Sequence, residues 1–286
     1  MRSRPMDGKV PQSYRIVVHA AATVLILLFA CNSDTRTQDL DVPYVPTPQP
    51  VVERMLDMAD VGPGDYVIDL GSGDGRIVIA AAKRGAEAHG VDLDPRRIQE
   101  ARANARKAGV EDQVMFLQQN IFDTDFSQAS VITMYLLSGV NLKLRPRLLK
   151  ELRPGTRVVS HSFDMGDWEP DRTSTENPSS NVTHYVYFWI IPAQVDGVWG
   201  WNLGGRRQSL TVHQQYQNID LEYHAGNNTI DTRQAVLRGD RISFIADNGN
   251  QHYVYSGHVD GNRITGIVQI RNGEDRRVES WSATRD

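Results

Sequence analysis

The chain is poor in the residues that most often staple or metallate small domains. Among its 286 residues there is one cysteine, Cys31, which excludes an intramolecular disulfide and a zinc site built on cysteine pairs. The eight histidines are scattered, with His252 and His258 the nearest pair, so a two-histidine metal motif on one helix face is also excluded and no metal is expected. Neither sign of charge dominates. Lys and Arg number 31 against 35 Asp and Glu, a net charge of −4, which gives no support for a polyanionic partner; no nucleic acid is expected. No uninterrupted apolar run reaches the ~20 residues of a bilayer-spanning helix. No internal repeat is visible either. What remains is ordinary: 40% hydrophobic and 23% charged residues, enough for a substantial core.

The N-terminus is the exception to this even composition. Arg2, Arg4, Lys9 and Arg15 precede an apolar stretch from Ile16 to Ala30, interrupted by His19 and Thr23. A basic start before an apolar run of this length reads as a signal peptide or a signal anchor over residues 1–30. The run ends in Leu28-Phe29-Ala30-Cys31 before a polar NSDTRTQ, which resembles the lipobox of bacterial lipoproteins and implies lipid attachment at Cys31. Residues 31–50, with Pro43, Pro46, Pro48 and Pro50, suit an extended tether. Membrane association through the N-terminus is therefore expected, either as an exported lipoprotein or on the cytoplasmic face.

From Val51 the pattern is that of packed structure. VVERMLDMA is helical in its apolar spacing and VGPGD stops it; YVIDL is a strand, GSGDG a turn and RIVIAAAKRG a helix. AEAHGVDLD supplies a strand, and a helix follows between Pro95 and Gly109. QVMFLQQN, ASVITMYLL, TRVVSHSF and THYVYFWIIP read as further strands, with NLKLRPRLLKEL helical around Pro146. This alternation predicts an α/β fold, a Rossmann-like doubly wound sheet, over residues 51–193. After Pro192 turn signals recur at 204–205, 225–228, 238–240, 247–250, 260–262 and 272–275, with alternating stretches between them. Residues 194–286 are thus predicted to form a smaller all-β antiparallel domain, a sandwich or small barrel.

The glycine turn lies where such sheets bind ligands, at the carboxyl edge between the first strand and helix. A dinucleotide fingerprint is G-x-G-x-x-G, but here Gly71-x-Gly73-x-Gly75 brings the third glycine one residue early. Asp69 and Asp74 flank the turn and would repel a pyrophosphate while attracting a ligand with an amino group and a sulfonium. Asp92 in GVDLD follows at the distance where a carboxylate meets ribose hydroxyls.

Together DLGSGDG and GVDLDP resemble the first two motifs of the class I, seven-strand S-adenosylmethionine-dependent methyltransferases, and the likeness runs through LRPGTRVVS to about residue 192. The resemblance implies S-adenosyl-L-methionine as cofactor, with Asp69, Gly71 and Gly73 at its methionine end and Asp92 on its ribose. It also puts Asn120, in FLQQNIFD, where the family often has an aspartate near the adenine amine; an amide oxygen can accept from that group too. YVPTPQPVVERML with GSGDGRIVIAAAKRG is similar to the mitochondrial protein-lysine methyltransferases that modify the c-ring protein of ATP synthase, and to their bacterial relatives. That likeness implies that Tyr44 and Thr47 fold over the cofactor.

Methyl transfer from a sulfonium is an in-line displacement that depends on positioning and desolvation. The acceptor pocket is expected over the end of the fourth strand, at Tyr135, Leu136 and Ser138, with Tyr135, Tyr44 and Thr47 as candidate catalytic residues and His161 and Asp164 on the rim. The acceptor is expected to be a protein, for instance through a lysine amine, or a small molecule. In the β domain Trp199, Trp201 and Trp281 either line a ligand surface or fill the core, and the domain is expected to bind substrate or a partner. Two other functions fit the sequence less fully. One is a non-catalytic membrane-anchored lipoprotein that keeps a cofactor fold as scaffold, motivated by the scarcity of S-adenosylmethionine outside the cytoplasm. The other is a nucleotide-dependent oxidoreductase.

Overall fold

The computed structural model describes residues 44–179 and 182–286. The expected signal segment, Cys31 and the first part of the tether lie outside the described residues. The chain enters through Tyr44–Pro48 into helix α1 (Gln49–Met58), with Pro50 in its first turn where no amide hydrogen is needed. Val51, Val52, Met55, Leu56 and Met58 form its buried face.

Strand β1 (Tyr66–Leu70), helix α2 (Arg76–Lys83), β2 (Glu87–Asp92), α3 (Pro95–Ala108), β3 (Val114–Gln118), β4 (Val131–Met134), α4 (Ser138–Glu151) and β5 (Arg157–His161) follow in alternation. Two further strands, β6 (Arg172–Ser179) and β7 (Val182–Ile190), complete a seven-stranded sheet of order β3-β2-β1-β4-β5-β7-β6. Strands β1 to β5 run parallel and β7 is antiparallel to both its neighbours. The chain winds outward from β1 to β3 and then crosses to β4 on the other side. That reversal opens a crevice at the carboxyl ends of β1 and β4.

Period-two alternation sorts the strand residues into two cores. Val67, Val131, Val159 and Phe188 pack with α1, α2 and α3 on one face, while Ile68, Ile132, Val158 and Trp189 pack with α4 on the other. Helix α4 stays continuous through Pro146, which lies on its exposed side, where water can meet the carbonyl that the proline leaves free. The sequence reading missed β6. RTSTENPS is polar and carries Pro178, as suits an edge strand, and shows no apolar alternation.

Beyond Ile190 eight strands form a closed up-and-down barrel: β8 (Gly197–Leu203), β9 (Arg206–Gln215), β10 (Asn218–Ala225), β11 (Asn228–Arg238), β12 (Arg241–Asp247), β13 (His252–Asp260), β14 (Arg263–Asn272) and β15 (Asp275–Arg285). The ring closes through Arg285 opposite Trp199 and Thr284 opposite Gly200. Trp199, Trp201 and Trp281 are all buried in its core, so they pack and do not line a ligand surface. A glycine pair, Gly257 opposite Gly266, makes the room: a Cβ on Gly257 would come 3.0 Å from the Trp281 ring.

The hairpin turn at Tyr216 had no sequence signal, yet Tyr216 has φ +56°. It is held there by contacts with the sheet half, its ring stacking on Trp168 and its hydroxyl donating to Asp167 at 2.9 Å.

Candidate functional site: a cavity at the switch point

One cavity occupies the crevice, and all eight residues singled out as cofactor-binding or catalytic line it: Asp69, Gly71, Gly73, Asp92, Asn120, Tyr135, Tyr44 and Thr47. Segments distant in sequence bring them together, namely the entry loop, the glycine turn and the ends of β2, β3 and β4.

The turn itself is shaped by its glycines. Gly73 has φ +52°, and a Cβ there would meet the Tyr44 ring at 2.5 Å, so the entry loop lies directly on the turn. Gly75 serves packing instead. It has φ +81° at the start of α2, and a Cβ would strike Phe116 at 2.7 Å and Ala101 at 2.9 Å. The early third glycine is therefore a helix–strand contact, not a ligand contact.

Asp92 organises the turn. One carboxylate oxygen accepts from the Gly73 amide and the other from the Asp94 amide, each at 2.9 Å. Asp94 caps α3 by accepting from the Arg96 amide at 2.9 Å. Asn120 also holds a turn, its side-chain oxygen accepting from the Phe122 amide at 2.9 Å, which leaves one lone pair for another donor.

The two acids beside the glycines differ from what their charge alone implied. Asp74 is gripped by Arg76 through Nε at 2.9 Å and Nη2 at 2.6 Å, and this guanidinium holds its carboxyl below the usual range despite partial burial. Arg76 also donates to the Thr47 carbonyl at 2.7 Å, tying the entry loop down. Asp74 is thus neutralised within the protein and does not supply attraction for a cationic ligand. Asp69 is 2% exposed and accepts from Thr133 Oγ1 at 2.7 Å. Burial, with Asp92 and Asp74 nearby, pushes its carboxyl up to about 7. A cation brought beside it would favour the ionised form.

The end of the cavity at Tyr135 is aromatic. Tyr135 packs on His161, ring centroids 3.8 Å apart, with Phe163 beyond. His161 is wholly buried: Thr47 Oγ1 lies 3.1 Å from its Nδ1, and His184 Nδ1 lies 2.8 Å from its Nε2. Desolvation first, then His184, lowers the His161 imidazole to about 4, so it is neutral at physiological pH. Neither Ser138 nor Asp164 lines the cavity. His184 escaped the sequence reading because only the pairing of β5 with β7 brings it to His161. Arg97, over the Tyr44 ring at 3.8 Å, escaped for the same reason of distance.

The family model of the ANTKMT methyltransferase domain matches residues 69–172. A protein-lysine N-methyltransferase of Saccharolobus islandicus is 49% identical over 152 residues, 52% of this chain and 94% of that protein. The chain belongs to this family of class I S-adenosylmethionine-dependent methyltransferases. The adenine nucleotide translocase lysine N-methyltransferase of Mus musculus is 36% identical to it, over 46% of this chain and 57% of its own length. A solved structure, described as an RNA methyltransferase from Salinibacter ruber in complex with S-adenosyl-L-homocysteine, is 53% identical to this methyltransferase. It covers 53% of this chain and 96% of its own, with a TM-score of 0.50. None of these relatives supports an oxidoreductase or a non-catalytic lipoprotein, and the family match ends before the barrel begins.

The cavity fits the methyl-donor cofactor. Ser72 Oγ is buried beside Gly90 of β2 without a hydrogen-bond partner among the described residues, and the fit rests on the two acids of the cavity wall. Asp92 keeps free lone pairs for two hydroxyls, and Asp69 offers a carboxyl whose ionisation a cationic methionine end would restore.

Proposed function

We propose that this methyltransferase acts on a lysine ε-amine of a protein. The observation that carries the reading is the aromatic end of the cavity, where Tyr135 covers the neutral His161. A lysine must be neutral to act as a nucleophile, and an aromatic wall lowers the pKa of an incoming ammonium by desolvation. When bound, the cofactor supplies an electrophilic sulfonium methyl. Tyr135 and Thr47 then orient the amine, while Tyr44, pinned between Arg97 and the glycine turn, excludes water from above. The protein-lysine relatives support the same acceptor.

An RNA acceptor, suggested by the description of the Salinibacter structure, finds less support on this surface. Phosphates need unpaired cations, yet Arg54, Arg76, Arg97 and Arg145 around the sheet edge each have a carboxylate within 3.5 Å. Incubating the full chain with tritiated S-adenosylmethionine and either total protein or total RNA separates the two. Label in protein, recovered as methyl-lysine, is expected; label only in RNA would sink the proposal.

Membrane attachment through the N-terminus is part of the proposal. Among the described residues no helix is long and apolar enough to cross a membrane, so this part rests on residues 1–31 alone. Labelled palmitate should enter the wild-type protein and not Cys31→Ser; an unlabelled, soluble wild type would refute it.

A further inference from the structure

We infer that Thr47, His161 and His184 form a proton path that carries the acceptor's proton from the methyl-transfer cavity to solvent; the inference rests on the lysine reading above. A lysine amine has an ordinary pKa of about 10.4, so at pH 7 only about one in 2,500 is neutral. Methyl transfer to the ammonium is impossible, and among the described residues no carboxylate hydrogen-bonds Tyr135 or His161 to act as base. Thr47 stands on the cavity wall, His161 is sealed behind it, and half-buried His184 reaches the surface of β7. The two contacts, 3.1 Å and 2.8 Å, leave no gap along the line.

The transfer balances without any redox change. The ammonium N–H bond breaks as its proton joins Thr47 Oγ1, whose own proton passes to His161 Nδ1. His161 then gives its Nε2 proton to His184 Nδ1, and His184 releases its Nε2 proton to water. The sum is ammonium and water giving amine and hydronium. After the product leaves, a proton entering at His184 and leaving at Thr47 into the opened cavity restores the starting tautomers. Because burial makes His161 weakly basic, it does not hold both protons at once: its Nδ1 gains one only as its Nε2 gives the other to His184.

Of the carboxyls that share the cavity wall, Asp74 is held by Arg76 at 2.6 Å and Asp69 is committed to Thr133 at 2.7 Å. The ionisable groups on the elements packed around the pair are Tyr135 after β4, Asp164 after β5, Tyr185 and Tyr187 on β7, Glu176 on β6 and Arg54 on α1. Glu176 is the cross-strand neighbour of His184, but Arg54 holds it at 3.5 Å. Tyr185 and Tyr187 stack on each other, and burial raises the Tyr187 hydroxyl above its ordinary value. His184 is a positioning and relay residue; only Thr47 stands where the acceptor arrives.

Two measurements test the path. In the full chain labelled with 15N-histidine and saturated with S-adenosylhomocysteine, a nitrogen–nitrogen coupling through the hydrogen bond between His161 Nε2 and His184 Nδ1 is expected. Its absence at pH 7.5 overturns the path. With poly-L-lysine as acceptor, His184→Phe should lower kcat about 100-fold at pH 7 and less than about threefold at pH 10, where about a quarter of the amine is already neutral, with KM unchanged. Added imidazole should restore part of the loss at pH 7. Equal losses at both pH values, or a change in KM alone, would show a structural role and overturn the path. His184 is half-buried where His161 is wholly buried, so His184→Phe is expected to fold even where His161→Phe does not, checked by its Tm. If the wild type leaves poly-lysine and cellular protein unmethylated, the lysine reading fails and the path falls with it, whereas methylation that His184→Phe leaves unchanged at both pH values overturns the path alone.

Discussion

The sheet and the barrel solve opposite problems with their polar groups. At the carboxyl edge of the sheet, buried polar side chains stay incompletely satisfied: Ser72 Oγ lacks a partner among the described residues, and Asp69 is kept from ionising freely. In the barrel core Trp201 Nε1 also lacks a partner among the described residues, but the polar atoms around it close upon one another. Tyr223 donates to Gln208 at 2.7 Å and meets the Tyr255 hydroxyl at 2.9 Å, and the Trp281 indole donates to the Ser256 carbonyl at 3.0 Å. A binding edge keeps its hydrogen-bonding capacity for something absent from the chain, while a structural core spends it internally. Stability in this protein should therefore be concentrated in the barrel, and ligand sensitivity in the sheet.

The sharpest way to break that contrast is to hollow out the barrel. Trp281 sits among Trp201, Phe244 and Tyr255 and is 4% exposed. Trp281→Ala should destabilise the protein by about 3–5 kcal/mol, read by chemical denaturation, through lost burial and an unfilled cavity. Calorimetry on the same variant should find the S-adenosylmethionine affinity within about twofold of wild type. A large loss of affinity would mean that the barrel shapes the cofactor site.

The converse variant is Asp92→Ala. It removes the acceptor of the Gly73 and Asp94 amides together with the lone pairs assigned to ribose. Affinity for S-adenosylmethionine should fall by about 30- to 100-fold, or about 2–3 kcal/mol for charge-assisted hydrogen bonds, with only a small change in Tm. An unchanged affinity would remove Asp92 from the cofactor site.

How much of this was legible beforehand follows the same division. The glycine turn, the acid at the end of β2 and the parallel alternation are local in sequence, because a strand, a turn and a helix carry their signals in adjacent residues. The barrel was legible as turns and alternation, but its closure was not, since Arg285 finds Trp199 only once all eight strands are curved. The electrostatics were read less well. Asp74 looked like a free charge, and only the fold shows Arg76 curled back onto it over two residues. The His161–His184 contact depends on an antiparallel partner laid beside the last parallel strand, whose register nothing in THYVYFWIIP announces.

The smallest effect is the most discriminating, because it pits two buried groups of the sheet edge against each other. Asp69 has a folded pKa raised to about 7 from 3.8, so the folded state binds more protons than the unfolded between those values. Its contribution is full at low pH and is lost as pH rises from about 4 through 7. His161 is lowered to about 4 from 6.5, so its contribution is present above 6.5 and is lost as pH falls toward 4. Between pH 4 and 6.5 the two slopes oppose, and the wild-type Tm should change little on their account. Asp69→Asn should leave the histidine slope exposed, with Tm rising by a few degrees from pH 4.5 to 6.5; His161→Phe should leave the opposite slope. The cofactor adds a third arm. A cationic methionine end beside Asp69 favours its carboxylate, so binding at pH 6 should release part of a proton, measured by calorimetry in two buffers of different ionisation enthalpy, and this release should vanish in Asp69→Asn. Equal proton release in wild type and variant would place the cationic end of the cofactor away from Asp69 and leave that carboxyl a purely structural partner of Thr133.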